Sequence, residues 1–361
     1  MTNSRISRLR RQFSDYYIDA LLVTNEQNIF YLTGFPLMEG DGALLVTDKN
    51  AILITDDRYA TALQEFDNDE VVGVITRDYY GSVNELCDGL DVDVLGFENT
   101  VSFETYDILN DLMTADIVPC ADMVEKMRAI KDNNEIATLR KAADLHTAGY
   151  QHLLQIVRPG MSERQVALEL DYWMKQHGAQ HASFETIVAS GENSAKPHAT
   201  ASDRLLQAGD MVTVDFGYFV DGYTADMTRT FAIGDPGAKL RSIYNLVNQA
   251  RQKVIAAAKP GIHGDQLDSY GRSLINNAGY EKEFQHGMGH GIGLGIHELP
   301  SSYGPNRGDV VLHANQVITV EPGIYLPGLG GVRIEDDILV TANGAERLTT
   351  AGTDLVIIDA D

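Results

Sequence analysis

Two rhythms of apolar and polar residues alternate along the first third of the chain. Short apolar runs predict strands: IDALLVT at 18–24, GALLVT at 42–47, NAILIT at 50–55, EVVGVIT at 70–76, VDVLGFE at 92–98 and ADIVPC at 115–120. The segments ISRLRRQFS, YATALQEFD, SVNELCDGL and SFETYDILNDLM read as helices between them. This alternation predicts an α/β domain over residues 1–122. A longer helical stretch follows over 122–157, with Ile136, Leu139, Ala143, Leu153 and Leu154 at helical spacing and Pro159-Gly160 as its stop. Its start predicts the entry into a second domain, residues 123–361.

That second domain repeats itself. The segment RPGMSERQVALELDYWMKQHGA at 158–179 resembles KPGIHGDQLDSYGRSLINNAGY at 259–280, so that Pro159 pairs with Pro260 and Gly178 with Gly279, an offset of 101 residues (260 − 159). Farther on, MVTVDFG at 211–217 resembles VITVEPG at 317–323, offset by 106 (319 − 213), with Asp215 matched to Glu321. Each copy reads as an amphipathic helix, a glycine at its C-terminal end, then strands. Two copies predict an α+β domain with internal pseudo-twofold symmetry.

Alternate residues of a strand share a face. Thr213 and Asp215 therefore lie opposite Val212 and Val214, and Thr224, Asp226, Thr228 and Thr230 share one face of the next strand. Glu321 and Glu335 also read as acids inside apolar strands. Four buried carboxylates need compensation, because an unpaired buried charge costs several kcal/mol or neutralises. Pairing with Arg229 and Arg333 is one route. Two divalent cations, balancing four negative charges and completed by an imidazole, are another. The imidazole candidates lie in HGMGHGIGLGIHE, which places His286, His290 and His297 among closely spaced glycines. In that segment the dinucleotide fingerprint fits no frame, and His297-Glu298 lacks the second histidine of HExxH. His146, His152, His177, His263 and His313 lack such context and read as structural or surface residues.

Composition narrows the function. With 28 basic and 52 acidic side chains the formal charge is −24, which argues against nucleic acid and anionic membrane surfaces as partners. No apolar run is long enough to span a membrane, the basic N-terminus lacks the apolar core of a signal peptide, and Cys87 and Cys120 form no disulfide or metal spacing. A cytoplasmic protein is the expectation.

The ordered set of TVDFG, ADMTRT, GMGHGIGLGIHE, TVEPGIY and GVRIEDD resembles the pita-bread dimetal peptidases, the family of Xaa-Pro aminopeptidase (aminopeptidase P) and prolidase. NIFYLTGF, TDDRY and MRAIKDNNEI resemble the same group, so the first domain is expected to be creatinase-like and the second a pita-bread domain. The resemblance implies two divalent metal ions, with manganese expected and cobalt or zinc as alternatives. Their ligands would be Asp215, Asp226, His290, Glu321 and Glu335, with Asp226 and Glu335 between the ions. It further implies that His198 in GENSAKPHAT, His286 and His297 contact the substrate, that His198 and His297 act in catalysis, that Glu321 doubles as proton shuttle and that Arg333 supports the ligands. The implied substrates are peptides with proline in second position, and a homodimer is an assembly the resemblance admits. Dipeptidases of the family often carry an arginine directly after the His286 position or after the HExP segment. This chain has Gly287 and Ser301 there. The expectation is therefore an Xaa-Pro aminopeptidase, with prolidase as the alternative and a non-catalytic binding module as the remote one.

Overall fold

The computed structural model describes residues 4–360 and divides into two compact units, Met1–Met127 and Arg128–Asp361. The sequence places the boundary at 122/123, a few residues earlier. The first unit is built on a six-stranded mixed sheet. Its strands run in the order Val72–Ile75, Ala51–Thr55, Gly42–Thr47, Ala20–Val23, Val94–Glu98 and Asp116–Cys120. All six match predicted runs. The helix Glu26–Thr33 was not among the predicted elements. Asn25 caps its start by accepting the Asn28 amide, and Gly34 ends it at φ +82°, so its signal lies in its caps rather than in its mixed aromatic and β-branched interior. The N-terminal segment ISRLRRQFS forms two short helices, Arg5–Arg10 and Phe13–Tyr16. Residues 1–3 of that basic segment lie outside the described residues, as does residue 361.

The long helical stretch is two helices, Met123–Ala129 and Asn133–Ile156. Asp132 breaks it: its carboxylate accepts the Asn134 and Glu135 amides, while the Glu135 side chain accepts from the Asp132 amide. A capping box inside a periodic stretch is a stop signal that the apolar spacing alone conceals.

The second unit is visibly double. The helices Glu163–Gln176 and Gly264–Asn277 have 14 residues each and end before Gly178 and Gly279, both at positive φ. The backbone closes around each start in the same way. The Gly160 amide donates to Leu206 and the Gly261 amide to Leu312, while the Glu163 amide donates to Arg204 and the Gly264 amide to Val310. Each acceptor pair is 106 residues apart (312 − 206 and 310 − 204).

One half contributes a four-stranded sheet in which Met211–Val220 pairs antiparallel with Tyr223–Ile233, setting Asp215 opposite Thr228 and Gly217 opposite Asp226. The other contributes a five-stranded sheet in which Gly289–Gly291 and Asp336–Val340 flank Val317–Val320. Val212, Val214, Phe216, Met227 and Phe231 fill one apolar cluster and Ile318, Val320, Ile334 and Ile338 another. Burial of these side chains, at roughly 1.5–3 kcal/mol each, fixes which strand face is left for the acids.

Candidate metal centre

All nine side chains singled out in the sequence line one cavity of about 320 Å³ in the second unit. Their placement differs from expectation in two cases. Asp215 and Asp226 lie within strands. Glu321 does not: its strand ends at Val320, because Pro322 supplies no amide to continue the ladder. Glu335 likewise lies in the short break between Gly330–Arg333 and Asp336–Val340, where its own amide donates to the Thr228 carbonyl at 3.1 Å. Both glutamates turn inward at breaks rather than projecting from pleated strands.

The glycines around His290 allow the strands to close up. A Cβ on Gly289 would sit 2.1 Å from the Thr319 carbonyl oxygen, and one on Gly291 2.4 Å from that of Leu299. His290 is thereby pressed toward the acids. Its amide donates to Thr319 Oγ1 at 3.0 Å, and its Nδ1 lies 3.0 Å from the Gly291 carbonyl. That contact assigns the ring proton to Nδ1. Nε2 is left as a lone pair facing Asp226 Oδ2 at 3.8 Å and Glu321 Oε1 at 3.7 Å. Burial, with His297 beside it, lowers the His290 pKa to about 4, so the ring is neutral near pH 7.

A lone pair aimed at two carboxylates needs a cation between them. Asp215 Oδ1 and Asp226 Oδ1 are buried without a hydrogen-bond partner. Ligand atoms of Asp226, His290 and Glu335 all lie within 4.8 Å of one another, roughly twice a metal–oxygen bond of about 2.0–2.6 Å. Burial raises the Asp226 and Glu335 pKa values well above the carboxylate range, each reinforced by neighbouring acids, and pushes Glu321 up to about 7. Such a donor set fits divalent metal: dications restore the charge balance that the protein alone lacks here.

The surrounding hydrogen bonds orient these groups. Thr228 Oγ1 donates to Glu335 Oε2 at 2.6 Å, and the Asp226 amide donates to Asp337 Oδ2 at 2.9 Å. Arg333 donates to Asp215 Oδ2 at 2.5 Å and to the Tyr325 hydroxyl at 2.9 Å, and that hydroxyl meets His286 Nε2 at 2.9 Å. Arg229 ignores the cavity acids as side chains. It pairs with Asp336 and donates to the backbone carbonyl of Glu335. Thr228 lies on the Asp226 face that the strand pattern predicts, whereas Tyr325 and Asp336, although they stand within TVEPGIY and GVRIEDD, are given no role by sequence reasoning.

His286 is neutral, with burial and then Arg333 lowering its pKa to about 3. Burial and then His198 lower that of His297. His198 stands exposed on the loop after the short helix Gly191–Ala195. Glu298, next to His297, is buried; burial alone would raise its pKa, but Lys131 and Arg128 overcome this and bring it to about 2. Its carboxylate also accepts the Gly295 amide at 2.9 Å, which ties down the glycine-rich turn.

Family profiles match both units: metallopeptidase family M24 over residues 137–342, and the creatinase/prolidase N-terminal domain over 5–130. The chain belongs to metallopeptidase family M24. An M24 peptidase is a hydrolase with a pita-bread catalytic domain, here behind a creatinase-type N-terminal domain. A solved Xaa-Pro dipeptidase from Bacillus anthracis is 41% identical, covers 98% of this M24 chain and 99% of its own, and superposes with a TM-score of 0.92. The Xaa-Pro dipeptidase of Pyrococcus horikoshii is 35% identical over 98% of this chain and 99% of its own length. An X-Pro aminopeptidase structure from Thermotoga maritima is 34% identical, covers 98% of this chain and all of its own, and has a TM-score of 0.90. Among the described residues no helix is long and apolar enough to cross a membrane.

Proposed function

We propose that this M24 peptidase is an Xaa-Pro dipeptidase, releasing an N-terminal residue from a C-terminal proline. Two divalent ions would be held by Asp215, Asp226, His290, Glu321 and Glu335. The observation that carries the metal site is the His290 Nε2 lone pair facing Asp226 and Glu321. Manganese is the expected ion, since a carboxylate-rich set suits a hard-to-borderline cation. Bound divalent ions keep the carboxylates ionised, polarise the scissile carbonyl and acidify a water molecule.

The chain's own side chains do the rest. Glu321 would take a proton from the attacking water at one carboxylate oxygen and return it to the leaving proline nitrogen. That transfer matters because a secondary amine leaves poorly unprotonated. His297 and His198 offer N–H donors to the carbonyl oxygen as negative charge develops on it. Phe184, Ile187, Pro197 and Ile296 give the cavity apolar walls suited to a pyrrolidine ring. Proline brings no amide hydrogen to the scissile bond, so no acceptor is needed there.

Support for the dipeptidase reading comes from the full-length similarity to proteins named Xaa-Pro dipeptidase and from a cavity at the small end of the about 300–1,000 Å³ range of ligand pockets. This replaces the aminopeptidase expectation as the leading reading. The aminopeptidase reading keeps one observation in its favour: Gly287 and Ser301 line the cavity where an arginine would clamp a free carboxylate. Manganese-loaded protein assayed on Leu-Pro and Leu-Pro-Pro separates the two. A dipeptidase turns over Leu-Pro faster; efficient cleavage of the tripeptide with little of the dipeptide establishes the aminopeptidase.

A further inference from the structure

Glu163 does not line the cavity, yet it is fully buried at the first turn of the helix Glu163–Gln176. A carboxylate is among the groups least often buried so completely, and this one faces no cation at salt-bridge distance among the described residues. Six hydrogen bonds solvate it. Oε1 accepts from the Ser190 amide at 2.7 Å, from Ser190 Oγ at 2.8 Å and from Asn193 Nδ2 at 3.2 Å. Oε2 accepts from the Ser202 amide at 3.0 Å, from Ser202 Oγ at 2.5 Å and from Asn193 Nδ2 at 3.2 Å. Ser190 and Ser202 are the two ends of the loop that presents His198, and Asn193 lies within it.

The internal repeat separates fold from function at this position. The counterpart of Glu163 is Gly264, 101 residues on (264 − 163). Both amides close onto equivalent carbonyls, Glu163 onto Arg204 and Gly264 onto Val310. The second half therefore builds the same helix start with no carboxylate at the equivalent position, its first-turn acid, Asp265, being exposed one residue on. Only the half whose loop carries His198 has a buried one there.

We propose that Glu163 is a positioning residue for His198: its buried carboxylate clasps both ends of the 190–202 loop and so holds the imidazole at the cavity. This rests on the substrate role given to His198 above. Preorganisation of this kind acts on the transition state, because a donor held in place costs no reordering during reaction. Glu163→Gln is nearly isosteric but turns one acceptor oxygen into a donor, which opposes the Ser202 or Ser190 amide and loosens one end of the loop.

The test is a double-mutant cycle on the full-length, manganese-loaded protein with Glu163→Gln, His198→Ala and the double variant. Metal content and the exchange rates of the Ser190 and Ser202 amides are measured beside kcat and KM. Glu163→Gln should accelerate exchange at one of those amides, leave metal content unchanged and lower kcat/KM by about tenfold in the wild-type background. In the His198→Ala background the same change should cost less than about twofold, since the group it positions is gone. Equal losses in both backgrounds, or no loss in the wild type, would overturn the inference while leaving the proposed function standing. Wild-type kinetics in His198→Ala would overturn the role given to His198 and this inference with it.

Discussion

Asp336 gives the sharpest test of how the framework behind the site is held. It is completely buried and receives Arg229 at 2.7 Å, Arg347 Nη2 at 3.2 Å, Arg251 and Thr349 Oγ1 at 2.9 Å. Arg229 and Arg251 are almost fully excluded from solvent as well. The remaining guanidinium hydrogens are met by carbonyls of Thr228, Glu335, Ala351 and Gly352, and by Asn248 and Thr353. One carboxylate thus serves three guanidiniums. Asp336→Asn keeps the volume but leaves two buried cations without a counterion. Removing one partner of a buried pair costs about 3–5 kcal/mol. For a folding unit of this size, each kcal/mol lowers Tm by about 2–4 °C, so the variant should melt about 6–20 °C lower. Glu346→Gln is the control: it breaks the pair of Arg140 and Glu346, whose side chains are 40% and 48% exposed, and should cost less than about 1 kcal/mol. Thermal and denaturant unfolding of the three proteins measures both. An Asp336→Asn melting point within about 2 °C of wild type would refute the reasoning, because it would mean that backbone carbonyls alone suffice to solvate these arginines.

Two further predictions use other parts of the second unit. Glu321→Gln should lower kcat by at least about 10²-fold at verified metal occupancy, as expected for loss of a general base; near-normal turnover would remove the proton-transfer role. His146 is buried, stacked on Phe216, with Nδ1 at 2.7 Å from the Ala142 carbonyl and Nε2 accepting the Tyr218 amide at 2.9 Å, so both ring nitrogens are committed to the neutral form. Burial lowers its pKa from 6.5 to about 4. The folded state therefore resists a proton that the unfolded chain accepts, and the stability present above pH 6.5 is lost as pH falls toward 4, by about 3 kcal/mol over that window. Denaturant unfolding between pH 7 and pH 4 should show this loss diminished in His146→Gln; an unchanged pH slope would contradict it.

The sequence made the strand acids legible because Asp215 and Asp226 sit in long runs with a period of two, and because the halves repeat. It made His290 legible through its glycines, whose missing side chains let Thr319 and Leu299 approach. It misread Glu321 and Glu335 as strand residues, since the ladder breaks that turn them inward are set by Pro322 and by pairing with a strand 107 residues away (335 − 228). Tyr325 and Glu163 were invisible for a related reason. Their partners, Arg333 with His286 and Ser190 with Ser202, are assembled only by tertiary contact, so the TVEPGIY and RPGMSERQ segments that contain them do not disclose what they do. The break at Asp132 was readable in principle from the D-x-x-E spacing of a capping box, but helical periodicity masked it.

Metal stoichiometry and activity measured in one titration bear most directly on the central claim. Protein stripped by a chelator would be titrated with manganese while bound ion, by elemental analysis after desalting, and hydrolysis of Leu-Pro are followed in the same samples, with Asp226→Asn in parallel. The account predicts no hydrolysis in the stripped protein, saturation at two ions per chain with activity returning as the ions bind, and reduced uptake with little activity in Asp226→Asn. Full activity in ion-free protein, or saturation without any ion lost on replacing Asp226, would contradict it.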